Sequence, residues 1–169
     1  RLAGNVVSNE SVGSLDYAVQ HLEGSVKLMV VLGHTGCGAV SAAIDAYLDP
    51  AHSPLMTGTL GLRSVVEHIF VAVRTAANAL NHLGVSPTGD PGYRSRLAEV
   101  SEVVNAATAA MTLEHVLGAS IPSDCGVVFG VYDLATRRVL APDGSGLTKP
   151  PSSLDELEKL AVQAANGSQ

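Results

Sequence analysis

The chain reads as an α/β domain with a central, largely parallel β-sheet flanked by helices. Two short apolar runs predict the sheet. Leu28-Met29-Val30-Val31-Leu32 and Val127-Val128-Phe129-Gly130-Val131-Tyr132 have the length and β-branched content of buried strands. Long segments with apolar residues three or four apart lie between and around them and predict helices. Apolar strands alternating with helical patterns favour parallel pairing, so 27–32 and 126–132 are expected as parallel strands of one sheet. The 169 residues suit a single domain over 1–169, with 150–169 as a helical tail.

The elements follow in chain order. Ser14 is placed to cap a short helix whose apolar side holds Leu15, Ala18, Val19 and Leu22. Glu23-Gly24-Ser25 breaks that helix before the first strand. After Cys37, the spacing of Val40, Ala43, Ile44 and Tyr47 predicts a helix that ends near Leu48-Asp49-Pro50. Residues 50–59, rich in Pro, Ser and Gly, form a loop. A longer helix is predicted over 61–82, with Leu62, Val65, Val66, Ile69, Val73, Ala76 and Leu80 in register. A loop at 84–93 precedes another helix over about 94–117, marked by Leu97, Val100, Val104, Ala107, Met111 and Val116. The second strand comes next, and Asp143-Gly144-Ser145-Gly146 closes the core. Ser153-Leu154-Asp155-Glu156 resembles a capping box and opens a helix to about Ala165.

Composition excludes several classes. A hydrophobic content of 46% with only 15% charged residues argues for a buried core and against disorder. A net charge of -6 argues against a nucleic-acid surface, which is basic. No apolar run approaches the roughly 18 residues of a membrane span, so no membrane partner is expected, and the expected location is the cytoplasm. Two cysteines are too few for a disulfide scaffold.

The chemistry concentrates at Gly33-His34-Thr35-Gly36-Cys37-Gly38, between the first strand and the following helix. That edge of an open α/β sheet, the carboxyl end of its strands, is where ligands bind. Imidazole and thiolate are both zinc ligands, and the glycines allow a tight turn and close approach. Cys37 also sits at a helix start, where the helix dipole favours a thiolate. A lone His-x-x-Cys is more often structural than metal-binding, because it lacks four-ligand spacing; its placement at the strand-to-helix turn favours a metal. A phosphate-binding loop is excluded, since Ala39 and Val40 stand where Lys and Ser or Thr would be needed.

These residues resemble the β-class carbonic anhydrases, whose second metal-binding segment reads Gly-His-x-x-Cys-Gly between a strand and a helix. Arg1-Leu2-Ala3-Gly4-Asn5 is similar to the family's Arg-Asn-Ala-Gly-Asn loop, with Leu2 where Asn is usual. Ser14-Leu15-Asp16-Tyr17-Ala18-Val19 looks like the helix between those motifs, and Val127 through Leu134 like the last core strand. The resemblance is specific over 1–48, weaker over 126–141 and loose between. It implies Zn2+ as cofactor, His34 and Cys37 as two of its ligands, and reversible hydration of carbon dioxide to bicarbonate by water that the zinc has activated. The Gly38 N–H, at the helix start, is then placed to polarise a substrate oxygen. A homodimer, often paired into a tetramer, is also implied.

One departure counts against full equivalence. The family's third zinc ligand and its Asp-Arg catalytic dyad lie in a Cys-x-Asp-x-Arg segment upstream of the Arg-Asn-Ala-Gly-Asn loop, and residues 1–169 do not contain it. The expectation is a fragment, a processed form or an incomplete relative, with little or no hydration activity and weak zinc affinity from residues 1–169 alone. Two other readings stay open: an inactive family member with a structural or binding role, and a zinc hydrolase of the same fold acting on a small molecule such as carbon disulfide. Cys125 opens the second strand, and seven strand residues span roughly 23 Å, so it is expected at the sheet edge opposite His34 as a buried small hydrophobe. His21, His52, His68, His82 and His115 lack ligand spacing and read as surface or helix-face residues.

Overall fold

The apolar periods resolve into five α-helices and three strands in a computed structural model, which describes residues 2–22, 24–52, 58–142 and 144–167. Arg1, Glu23, residues 53–57 of the expected 50–59 loop and Asp143 lie outside the described residues. Strand β1 (Leu28–His34) pairs in parallel with β2 (Gly126–Asp133), from Leu28 opposite Gly126 to His34 opposite Tyr132. The predicted parallel pair is therefore present, with β2 in the middle of the order β1-β2-β3. Strand β3 (Arg138–Leu140) returns antiparallel through a turn in which Arg137 has φ 60°, so the sheet is mixed. Three residues are too few to show a period of two, which hides β3 in the sequence. Beyond β3, Thr148 exchanges both backbone hydrogen bonds with Phe129, at 2.8 and 3.0 Å.

Helix α1 (Asn9–His21) starts five residues before the expected cap. Ser8 is the N-cap, and its hydroxyl accepts the Ser11 N–H at 3.4 Å. Ser14 lies inside the helix and donates to the Glu10 carbonyl at 2.8 Å. The first turn is polar on most sides, so hydrophobic spacing alone places its start too late. Helix α2 (Gly38–Leu48) follows β1 directly, and α3 (Leu60–His82) opens on Thr59, which accepts the Leu62 N–H. Helix α4 (Tyr93–Leu117) runs through the centre and packs on β1, β2, α2 and α3. In α5 (Leu154–Gly167), Ser153 accepts the Glu156 N–H at 3.3 Å. The Glu156 carboxylate reaches back one residue further than in the standard capping box, accepting from the Ser152 N–H and hydroxyl. Helix α5 packs on α3 and α4.

The core lies between the sheet and α4, and between α4 and its neighbouring helices. Phe129, Leu97, Val100, Val104, Ile69 and Leu80 are fully buried. Alanines such as Ala76, Ala106 and Ala110 let the elements approach closely. β1 departs from the expected buried strand. Met29 and Gly33 are buried, but Leu28, Val30 and Leu32 on the opposite face are 51%, 46% and 45% exposed. Among the described residues only one face of β1 is covered, and it pairs along only one edge. No helix among the described residues is long and apolar enough to cross a membrane.

Candidate metal centre

The end of β1 delivers His34, two residues turn the chain, and Cys37 is the N-cap of α2. Gly36 has φ +66°, a left-handed conformation that favours glycine. The turn is tied to the end of β2: the Thr35 N–H donates to the Tyr132 carbonyl at 3.0 Å, and the Thr35 hydroxyl accepts the Leu134 N–H at 3.0 Å. His34 Nδ1 lies 3.0 Å from its neighbour's carbonyl at Thr35. With the proton on Nδ1, that contact fixes the tautomer and leaves Nε2 as the lone-pair donor, the usual arrangement of a metal-ligating histidine. Cys37 is buried with a free thiol, and no described group hydrogen-bonds to its sulfur. Gly38 begins α2, and a side chain there would meet open space.

A carboxylate that the sequence reading missed stands behind this turn. Glu102 of α4 is 6% exposed, and its Oε1 accepts the Cys37 N–H at 3.0 Å. Burial raises its pKa, while the N–H groups of Cys37 and Gly36 and the charge of His34 act in the opposite direction. Glu102 is two residues from Val100 and two from Val104, off the apolar stripe used to find α4, so periodicity gives it no signal. Close packing brings it within reach: a Cβ on Gly33 would lie 3.1 Å from the Ala106 Cβ and 3.6 Å from the Glu102 carbonyl. One turn further along α4, the Asn105 side chain donates to the Gly4 carbonyl at 2.9 Å. Gly4 has φ +66°, and a Cβ there would stand 2.6 Å from Ile69 Cδ1. The second resembling motif, around the 3-10 turn Ala3–Asn5, is therefore seated on the same scaffold as the His34 turn. Its Arg1 lies outside the described residues.

The family model described as carbonic anhydrase matches residues 1–139. The chain belongs to the β-class carbonic anhydrase family. It is similar to Carbonic anhydrase 2 of Mycobacterium tuberculosis, 43% identical over 76 residues, which cover 43% of this chain and 32% of that relative. It is also similar to the Carbonic anhydrase of Mycolicibacterium smegmatis, 50% identical over 54 residues, which cover 32% of this chain and 25% of that relative. The chain spans about a third or less of the length of these curated relatives.

For a carbonic anhydrase chain, the donor set at the turn fits half of a tetrahedral zinc site. Among the described residues, the Nε2 of His34 has no hydrogen-bond partner while Nδ1 meets a carbonyl, and the Cys37 thiol is in no disulfide. Among the described residues, no group of three His, Cys, Asp or Glu side chains is placed to hold a metal. Cys125 does not join the turn. It precedes Gly126, which pairs with Leu28 at the amino edge of the sheet, whereas His34 pairs with Tyr132 at the other edge. His21 stacks on Tyr17 and contacts the Tyr17 carbonyl, and His68 contacts the Ser64 carbonyl, each within its own helix. His82 and His115 lie in the last turns of α3 and α4, and His52 ends the 3-10 turn Pro50–His52.

Proposed function

We propose that this chain contributes to zinc-dependent, reversible hydration of carbon dioxide to bicarbonate, with His34 and Cys37 as two zinc ligands. The observation that carries the reading is the turn itself: a histidine whose Nδ1 meets a backbone carbonyl and a buried cysteine outside any disulfide, three residues apart, at the carboxyl end of a parallel strand. Family membership supports the substrate. Zinc in such a site lowers the pKa of a water molecule towards neutrality. The protein's own groups do the rest. His34 binds through Nε2 while Thr35 holds the ring. Cys37 would hold the metal through its sulfur. The Gly38 N–H, at the start of α2, donates to an oxygen of carbon dioxide or bicarbonate as charge develops there.

We also assign the exposed apolar face of β1 to contact with a second copy of the chain. Leu28, Val30 and Leu32 support that homodimer, since half-exposed leucine and valine in a row on one strand mark an association surface. Stopped-flow hydration of carbon dioxide tests the activity in a version extended upstream through a Cys-x-Asp-x-Arg segment, with carbon disulfide as the competing substrate and residues 1–169 alone expected to hydrate little. Hydration lost in both His34→Ala and Cys37→Ser supports the reading. Turnover of carbon disulfide without carbon dioxide hydration replaces the substrate.

A further inference from the structure

A helix start leaves N–H groups without intrahelical partners, and a side chain at the N-cap normally accepts one of them. In α2 the N-cap is Cys37, whose side chain caps nothing. Sulfur is a weak acceptor, so a cysteine at that position gives up the cap. An acceptor from another helix, 65 residues along the chain, serves the N–H of the N-cap residue itself. Glu102 receives the Cys37 N–H at 3.0 Å in a buried setting, and the neighbouring Gly36 N–H also favours the charged carboxylate. A carboxylate is expensive to bury unless its hydrogen bonds are specific, so an acid buried against the backbone of this turn marks the turn's conformation as one worth fixing. Keeping cysteine at the N-cap and the acid on α4 makes sense if the sulfur is wanted for something else.

We propose that Glu102 is a positioning residue for the metal centre: by accepting the Cys37 N–H it fixes the backbone at the start of α2 and holds the Cys37 sulfur in place to bind a divalent cation. This rests on the zinc reading of the turn. Asn105, three residues on and on the same side of α4, extends the arrangement by holding the Gly4 carbonyl. One helix face thus sets the position of both motif loops.

The test combines a metal-free readout with zinc binding. Amide resonances of Gly36 and Cys37 are followed by two-dimensional NMR with hydrogen exchange, and zinc affinity by competition with a fluorescent zinc indicator. In Glu102→Ala both amides shift and exchange faster, and zinc binding weakens by roughly tenfold, the usual scale for loss of a group that orients a metal ligand. Glu102→Gln keeps an acceptor oxygen and restores most of the affinity. Glu102→Asp keeps the charge but withdraws the oxygens by one methylene; it weakens zinc as alanine does, and it carries the test if the alanine variant does not fold. Val104→Ala, in the core of the same helix, lowers the melting temperature and leaves both readouts unchanged. Wild-type zinc affinity in Glu102→Ala or Glu102→Asp overturns the proposal, as does an equal loss in Val104→Ala, which would make the effect one of general stability. Zinc binding that survives Cys37→Ser overturns the metal centre itself and the proposal with it, a result distinct from the Glu102 series.

Discussion

The two faces of β1 are both apolar in sequence, yet they meet different surroundings. Met29 and Gly33 are buried on the side of α4, whereas Leu28, Val30 and Leu32 on the other side are about half exposed. Successive strand residues point to opposite faces, so one seven-residue element carries both a packed surface and an open one. The His34–Cys37 turn hangs from the packed side. α4 touches β1 closely enough at Gly33 for Glu102 to reach the Cys37 amide. Substitutions on the α4 side should therefore unsettle both fold and turn, and those on the open side should mainly change association.

The largest expected effect is Phe129→Ala. Phe129 is opposite Val31 in the register, on the α4 side, and is fully buried. Chemical denaturation should show a loss of about 3–5 kcal/mol, as for other buried phenylalanines cut to alanine. Gly33→Val comes next. Its Cβ would already crowd Ala106, and overpacking of this kind destabilises by about 1–3 kcal/mol. The same variant should shift the Cys37 amide, because pushing α4 away draws Glu102 from the turn. On the open side, Leu32→Ser should change the stability of the isolated chain by no more than about 0.5 kcal/mol. It should instead weaken self-association in sedimentation velocity, and dimerisation unchanged from wild type would remove that face as the interface.

The smallest effect is electrostatic. Asp133 ends β2, and its carboxyl is held below the usual aspartate range by the Thr136 hydroxyl first, then by the Ala135 N–H, with the Thr136 N–H and the Thr35 hydroxyl adding to it. A carboxyl whose folded pKa is depressed adds stability above its unfolded pKa and loses it as pH falls through the folded value. Urea midpoints of wild type and Asp133→Asn should therefore differ near neutral pH and converge in acid. A constant difference across that range would mean that the turn, not the charge, sets the effect.

These contrasts also show what the sequence could reveal. The parallel pair, the four helices after the first and the placement of His34 and Cys37 at a strand-to-helix turn were legible, because each rests on local period or local motif. The start of α1 was not, since Ser8 caps a turn without an apolar stripe. The exposure of Leu28, Val30 and Leu32 was not, because an apolar run shows the wish to be buried and not what does the burying. Glu102 was invisible for a related reason. Its meaning lies in a contact with a residue 65 positions away, and a single glutamate in a helix ordinarily reads as a solvated charge.

Zinc content per chain tests the central claim most directly. Wild type, His34→Ala and Cys37→Ser are dialysed to equilibrium against the same buffered zinc solution, and bound metal is measured by elemental analysis, with circular dichroism confirming the fold. With two ligands in the turn, the account predicts weak but measurable zinc binding by the wild type and most of it lost in each variant. Cys37→Ser holding as much zinc as the wild type would contradict it.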